Sequence, residues 1–261
     1  GMIRLVGGVP IHVPVKREDY HPDLAALQAH ITPKTKAIVL NSPNNPTGVV
    51  YGQETLEIIA DTCREHDLWL ISDEVYASQV WSGRHITPRS LPGMKERSLI
   101  VGSMSKSHAM TGSRIGWVIG PEDIIAKLND LATVSNYGVV GFIQDAAEYA
   151  LHLGSSAFIS VSAPFKRRRK LALEIFKEFP QINVIPPQGA MYLMLDIRST
   201  GLNGEAFANA LLEQRKIAVM PGESFGAAAA GHIRVAMTVE DALFSKAHKS
   251  LCDFATNLAS K

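Results

Sequence analysis

Short apolar runs alternate with amphipathic stretches through the first two-thirds of the chain. Residues 8–15, 36–40, 68–71, 98–101 and 114–119 have the length and apolar continuity of buried strands. Between several of them, residues 22–30 and 54–66 space their apolar positions at helical intervals. Strands that alternate with helices predict an α/β architecture, a mostly parallel sheet flanked by helices on both faces. Pro121-Glu-Asp opens a further helix with proline and acids in its first turn, and helical patterning continues to about Phe179. The pattern then changes. Residues 182–185, 191–197, 217–220 and 232–237 read as strands, with helices over 205–215 and 239–257, which predicts a smaller α+β C-terminal unit. The boundary is expected inside the helical stretch 155–179, giving a large domain over 1–160 and a small one over 161–261.

Composition narrows the function without naming it. With 261 residues, 46% of them hydrophobic and 20% charged, the chain can build one large core or two modest ones. A net charge of +1 exerts no pull on nucleic acid or an anionic membrane, so neither is an expected partner. The basic run Lys166-Arg-Arg-Arg-Lys170 sits among Phe165, Leu171, Leu173 and Phe176, the pattern of a solvated helix face. Only Cys63 and Cys252 are present, far apart, which excludes a disulfide framework and a paired metal motif and fits a reducing, cytoplasmic setting. No apolar run reaches membrane-span length, and the N-terminus lacks the order of a signal peptide. Gly1 ahead of Met2 reads as a tag-cleavage scar.

In parallel sheets, sites form beyond the carboxyl ends of the strands. The strand at 36–40 runs into Asn41-Ser-Pro-Asn-Asn-Pro-Thr-Gly48, a turn-dense segment carrying amides. The strand at 68–71 runs into Ser72-Asp-Glu-Val-Tyr76, a carboxylate and a phenol. The strand at 98–101 leads to Ser103, Ser105 and Lys106, with Arg114 eight positions beyond the lysine. Pyridoxal phosphate needs such a set: an amine for a Schiff base, an acid for the ring nitrogen, donors to the ring oxygen, and cations and hydroxyls for the phosphate. Taken singly, each residue has a plainer reading. Asp73 suits a turn cap, Tyr76 a core position with a satisfied hydroxyl, and Arg234 a surface ion pair.

Residues 41–48, 72–76 and 103–117, in that order, resemble the signature segments of class I/II aminotransferases, fold type I of the pyridoxal phosphate enzymes. The similarity continues through Pro221-Gly-Glu-Ser-Phe-Gly226 and His232-Ile-Arg-Val-Ala-Met237. The resemblance implies that Lys106 forms the internal aldimine and acts as general base, and that Asp73 pairs with the pyridinium nitrogen. It further implies that Asn45 and Tyr76 contact the ring oxygen, that Ser103, Ser105 and Arg114 bind phosphate, and that Arg234, with Asn45, takes the substrate's α-carboxylate. The implied activity is transamination between an L-amino acid and a 2-keto acid, in a homodimer. Residues 105–112 look closer to transaminases acting with pyruvate or 2-oxoglutarate than to decarboxylases or lyases of the same fold.

Relative to such enzymes the chain is expected to lack an N-terminal segment on the order of 100 residues or more, because its lysine comes early. In the family that segment carries a strand of the large sheet, a phosphate-binding helix terminus and an aromatic over the ring. The alternative function is therefore a non-catalytic or partner-dependent truncated aminotransferase fragment with weak or no cofactor binding. A rival from another reaction class starts at Gly222-Glu-Ser-Phe-Gly226, a G-x-S-x-G match with Asp241 and His248 in hydrolase order. A strand expected at His232 leaves no room for the helix that a nucleophile elbow must open.

Overall fold

The structure, a computed structural model that describes residues 2–259, contains two four-stranded sheets. The first comprises β1 (Ala37–Asn41), β2 (Trp69–Asp73), β3 (Ser98–Ser103) and β4 (Gly116–Ile119), in that spatial order. β1, β2 and β3 run parallel and β4 returns antiparallel to β3. Register sets Asn41 beside Asp73 and Asp73 beside Val101, so β1 and β2 end at one level and β3 runs on to Ser103.

The second sheet, β5 (Asn183–Val184), β6 (Tyr192–Asp196), β7 (Met220–Pro221) and β8 (His232–Ala236), is antiparallel in the order β5-β6-β8-β7. Around the sheets lie α1 (Met2–Leu5), α2 (Leu24–Ala29), α3 (Gln53–Glu65), α4 (Met104–Ser107), α5 (Glu122–Ser135), α6 (Gly141–His152), α7 (Ser155–Phe176), α8 (Gly204–Arg215) and α9 (Asp241–Ala259). The chain passes from one sheet to the other through α5, α6 and α7.

Local chemistry explains several ends. Asp23 caps α2 by accepting from the Ala26 N–H at 3.0 Å, and Asn203 caps α8 by accepting from Ala206 at 2.8 Å. The apolar stripe of α3, Leu56, Ile59, Ala60 and Cys63, packs on Leu40 and Leu70 of the first sheet. The second core joins Leu193 and Leu195 of β6, Ile233 of β8, Phe207 and Leu211 of α8, and Phe244, Leu251 and Phe254 of α9. By contrast α5 buries no residue, and Val134, Tyr137, Phe142 and Tyr149 stand exposed along α5, α6 and their connection.

Three expectations are corrected. Residues 8–15 form no strand; only an isolated bridge joins Val15 to Pro22. Pro10 and Pro14 supply no N–H for a ladder, and Val9 is 81% exposed. The strand expected from residue 114 starts at Gly116, because Arg114 is left-handed at φ 51°. The strand expected at 217–220 shrinks to Met220–Pro221.

His248 lies in the second core, stacked on Phe244 at 5.3 Å and edge-on to Phe176 at 4.7 Å, with neither ring nitrogen hydrogen-bonded. Burial pushes its pKa down from 6.5 to about 4. Below pH 6.5 the unfolded chain takes up a proton that the folded chain refuses until about pH 4, so this group costs stability as pH falls through that window. Acidification from about pH 7 to about pH 5 is expected to cost the native chain about 2 kcal/mol more than it costs His248→Leu. Urea unfolding of both proteins at the two pH values measures this; equal losses would show that the imidazole is not held neutral.

Candidate active site

The site is built where β1, β2 and β3 end. Beyond β1, the Asn41 side chain donates to the Asp73 carbonyl at 3.1 Å and accepts from the Asn45 N–H at 2.8 Å. Asn44 accepts from the Thr47 N–H and hydroxyl at 3.2 and 2.8 Å, which closes the turn. Gly48 ends it at φ +74°, where a Cβ would run into Pro187 and lie 2.9 Å from the Gly189 carbonyl. Glycine is required there by backbone conformation and by space alike. With its main chain fixed, Asn45 turns its side-chain oxygen to Arg234 Nη1 at 2.7 Å, joining residues 189 apart in sequence.

Beyond β2, Asp73 is half-buried and accepts from the Val75 N–H at 3.2 Å, with no cation paired to it among the described residues. Burial pushes its carboxyl pKa up and the neighbouring Glu74 adds to that, while the Val75 bond opposes them. Glu74 is itself occupied by Ser72, Thr87 and His85 at 3.1, 2.8 and 2.8 Å. Tyr76 is buried, and its hydroxyl lies 2.8 Å from that of Tyr192 on β6. Burial first, then the Tyr192 bond, push its pKa well above the ordinary phenol value.

Beyond β3, Ser103 caps the single turn of α4 by accepting from the Ser105 N–H at 3.1 Å. This turn carries Lys106, whose carbonyl accepts from the fully buried Gln79 at 3.1 Å. The Lys106 amine has neither an ion pair nor a hydrogen bond among the described residues. Arg114 is exposed, and its guanidinium donates to the Thr111 carbonyl at 3.0 Å rather than to Ser103 or Ser105.

Arg234 reaches this region from β8. Its guanidinium carbon lies 4.2 Å from the centre of the Tyr192 ring and 4.9 Å from that of Phe225, and its Nε is buried without a partner among the described residues. A guanidinium packed on two aromatic rings, with a desolvated donor left over, has the chemistry to take a carboxylate. The structure thus bonds Asn45, Arg234, Tyr192 and Tyr76 into one group and sets Ser103, Ser105 and Lys106 on another strand end. Sequence reasoning misses Tyr192, Phe225 and Gln79. Tyr192 is indistinguishable from a core residue in an apolar strand, and Phe225 is absorbed in a glycine-rich motif.

The hydrolase arrangement is not assembled. Ser224 lies on one 3-10 turn, Asp241 pairs with Arg167 and Arg168 at 2.9 and 2.8 Å, and His248 is enclosed by Phe244 and Phe176. Nor do the described residues hold a group of three or more side chains suited to a metal ion.

Residues 1–251 match the family of aminotransferases of class I and II. The chain belongs to that family. Class I/II aminotransferases are pyridoxal phosphate-dependent enzymes. Among curated relatives, the chain is 44% identical over 234 residues to the arginine–pyruvate transaminase AruH of Pseudomonas aeruginosa, a match covering 89% of this chain and 60% of that protein. It is 40% identical over 235 residues to an aspartate aminotransferase of Pyrococcus abyssi, covering 88% and 60%. Of solved structures, the aromatic aminotransferase of Pyrococcus horikoshii superposes with a TM-score of 0.93 at 36% identity, covering 98% of this chain and 69% of that one. The aspartate aminotransferase of Thermus thermophilus with maleate gives 0.91 at 35%, covering 97% and 66%. This aminotransferase-family chain therefore spans about 60% of the length of the curated relatives it matches.

The donor set fits the family's cofactor. Asp73 is a carboxylate short of a cation, Arg234 Nε is an orphaned buried donor, and the Lys106 amine is unengaged among the described residues. Gly48→Ala is expected to cost about 2 kcal/mol or more, from left-handed strain plus overlap with Pro187. Urea denaturation measures the loss; an unchanged midpoint would show that the turn can relax away from the 187–189 segment.

Proposed function

We propose that this chain holds pyridoxal phosphate beyond the carboxyl ends of β1, β2 and β3 and moves an amino group between an L-amino acid and a 2-keto acid. The observation that carries the reading is the bond between Asn45, on the turn after β1, and Arg234 of the second sheet, which brings an open guanidinium to the strand ends bearing Asp73, Tyr76 and Lys106. Lys106 would hold the cofactor through its amine. Asp73 would pair with the ring nitrogen, Asn45 and Tyr76 would face the ring oxygen, and Ser103 and Ser105 would receive the phosphate. Arg114 is the phosphate ligand that must turn from the Thr111 carbonyl to take part. When bound, the cofactor supplies an electron sink that acidifies the substrate's Cα–H.

The residues divide the remaining work. Asp73, with its pKa raised by burial, gains most from a cation beside it, and in return holds a ring nitrogen protonated. Arg234 presents a bidentate fork to the α-carboxylate, which orients the Cα–H bond. Lys106 would take the proton from the substrate's Cα and later return one, acting as general base and acid. The relatives' names span arginine–pyruvate, aspartate and aromatic aminotransferases, which supports the reaction class.

The buried free thiols of Cys63 and Cys252 suit a reducing cytoplasm, and no described helix is long and apolar enough to cross a membrane. The exposed Val134, Tyr137, Phe142 and Tyr149 support a homodimer. A partner-dependent form of the same site is the second reading, favoured by the open outer edge of β4, where Trp117, Val118 and Ile119 are exposed.

Titration of the purified chain with pyridoxal phosphate, followed by borohydride reduction and peptide mapping, tests the proposal. A saturable visible band with the adduct on Lys106 is expected. Lys106→Ala should lose the band and at least about a thousandfold in turnover. A folded native chain that gives no band, or an adduct on another lysine, would overturn the assignment.

A further inference from the structure

Tyr192 stands between the two ends of the site. It opens β6, directly opposite Ala236, and its buried hydroxyl meets that of Tyr76 at 2.8 Å. The two rings cross edge to face, 5.8 Å between centres. The same ring lies under the guanidinium of Arg234 at 4.2 Å. One side chain of the second sheet thus touches both the phenol beyond β2 and the arginine of β8.

We propose that Tyr192 is a positioning residue for both: its hydroxyl orients Tyr76 toward the cofactor's ring oxygen, and its ring face holds Arg234 in place for the substrate carboxylate. The inference rests on the cofactor reading above for the first half and, for the second, on the carboxylate-binding role proposed there for Arg234.

Proton inventory supports the first half. A phenol has one proton to give. If Tyr76 gives its proton to a ring oxygen, the proton in the 2.8 Å contact must come from Tyr192. A hydroxyl that accepts one hydrogen bond is a stronger donor in the next. Tyr192 therefore both aims the Tyr76 proton and strengthens its donation. The charged and titratable groups that bear on Tyr76 are Tyr192 on β6, Arg234 on β8 and Asp73 on β2. None but Tyr192 bonds to its hydroxyl among the described residues.

The second half follows from packing. Arg234 spends Nη1 on Asn45 and keeps a buried Nε free among the described residues, so the Asn45 bond and the two rings packed on it set its plane. Phe225, at 4.9 Å, is the farther of the two. Removing the nearer ring should let the fork rotate and should weaken carboxylate binding.

Two substitutions separate the roles, in the full chain carrying labelled tyrosine and arginine. Without cofactor, Tyr192→Phe should shift the Tyr76 Cζ resonance yet keep propionate binding, read at the Arg234 Nε–H signal, within about twofold of native. Tyr192→Leu should displace both resonances and weaken propionate by about fivefold or more. With pyridoxal phosphate added, Tyr192→Phe should raise the pH midpoint of the visible band by about half a unit, because Tyr76 becomes the weaker donor. An unmoved Tyr76 resonance and midpoint in Tyr192→Phe, or native propionate affinity in Tyr192→Leu, would overturn the inference. A native chain that gives no band refutes the cofactor reading instead, and the two cofactor-free readings still decide for or against Tyr192.

Discussion

One short segment, residues 188–190, holds the two halves of the molecule in the relation that makes a site. The Gly48 carbonyl accepts from the N–H groups of both Gln188 and Gly189 at 2.8 Å, and the Gln79 carbonyl accepts from Ala190 at 2.8 Å. The Gln188 side chain returns a bond to the Val50 N–H, and the Trp81 indole donates to the Ala190 carbonyl. Each bond uses a main-chain group of a buried residue, Gly48, Val50, Gln79 or Ala190, and breaking any of them would leave a buried polar atom unpaired. The segment leads directly into β6, so the clamp delivers Tyr192 to Tyr76 and, through the β6–β8 pairing, Arg234 to Asn45. It also explains the glycines: at Gly48 and Gly189 two backbones lie too close for a Cβ between them.

Two polar groups around the site are left incomplete among the described residues. Asp73 is half-buried without a cation among the described residues, and Arg234 keeps an unpaired Nε. Holding such groups in a folded chain costs stability, and the cost is recovered when complementary charges arrive. Elsewhere Glu74 is matched by Ser72, Thr87 and His85, and one oxygen of Glu223 by the N–H groups of Gly204 and Gly231. Asp73 thus differs from its neighbour Glu74: it accepts one main-chain bond, whereas Glu74 bonds to three side chains.

Much of this is legible in the amino-acid sequence. The parallel core strands are readable because continuous apolar runs ending in turn residues have few other uses. Asn45, Asp73, Tyr76 and Lys106 can be picked out because they follow such runs at the expected distance. Residues 8–15 mislead because an apolar run looks the same whether or not a neighbouring strand exists to pair with it. Arg114 shows another limit: its nearness to the lysine in sequence does not disclose its left-handed backbone or its bond to the Thr111 carbonyl.

Local chemistry by itself determined the elements, their caps and turns, and the identity of the reactive groups, because these depend on hydrogen bonds and burial within a few residues. Only the tertiary structure decided which of those groups meet. Tyr192 and Phe225 carry no local mark of function, since an aromatic in an apolar run is what any core requires. They come against Arg234 when the 188–190 clamp and the β6–β8 register bring β6 and β8 against the turn after β1, and long-range packing of that kind is not written in the spacing of any single segment.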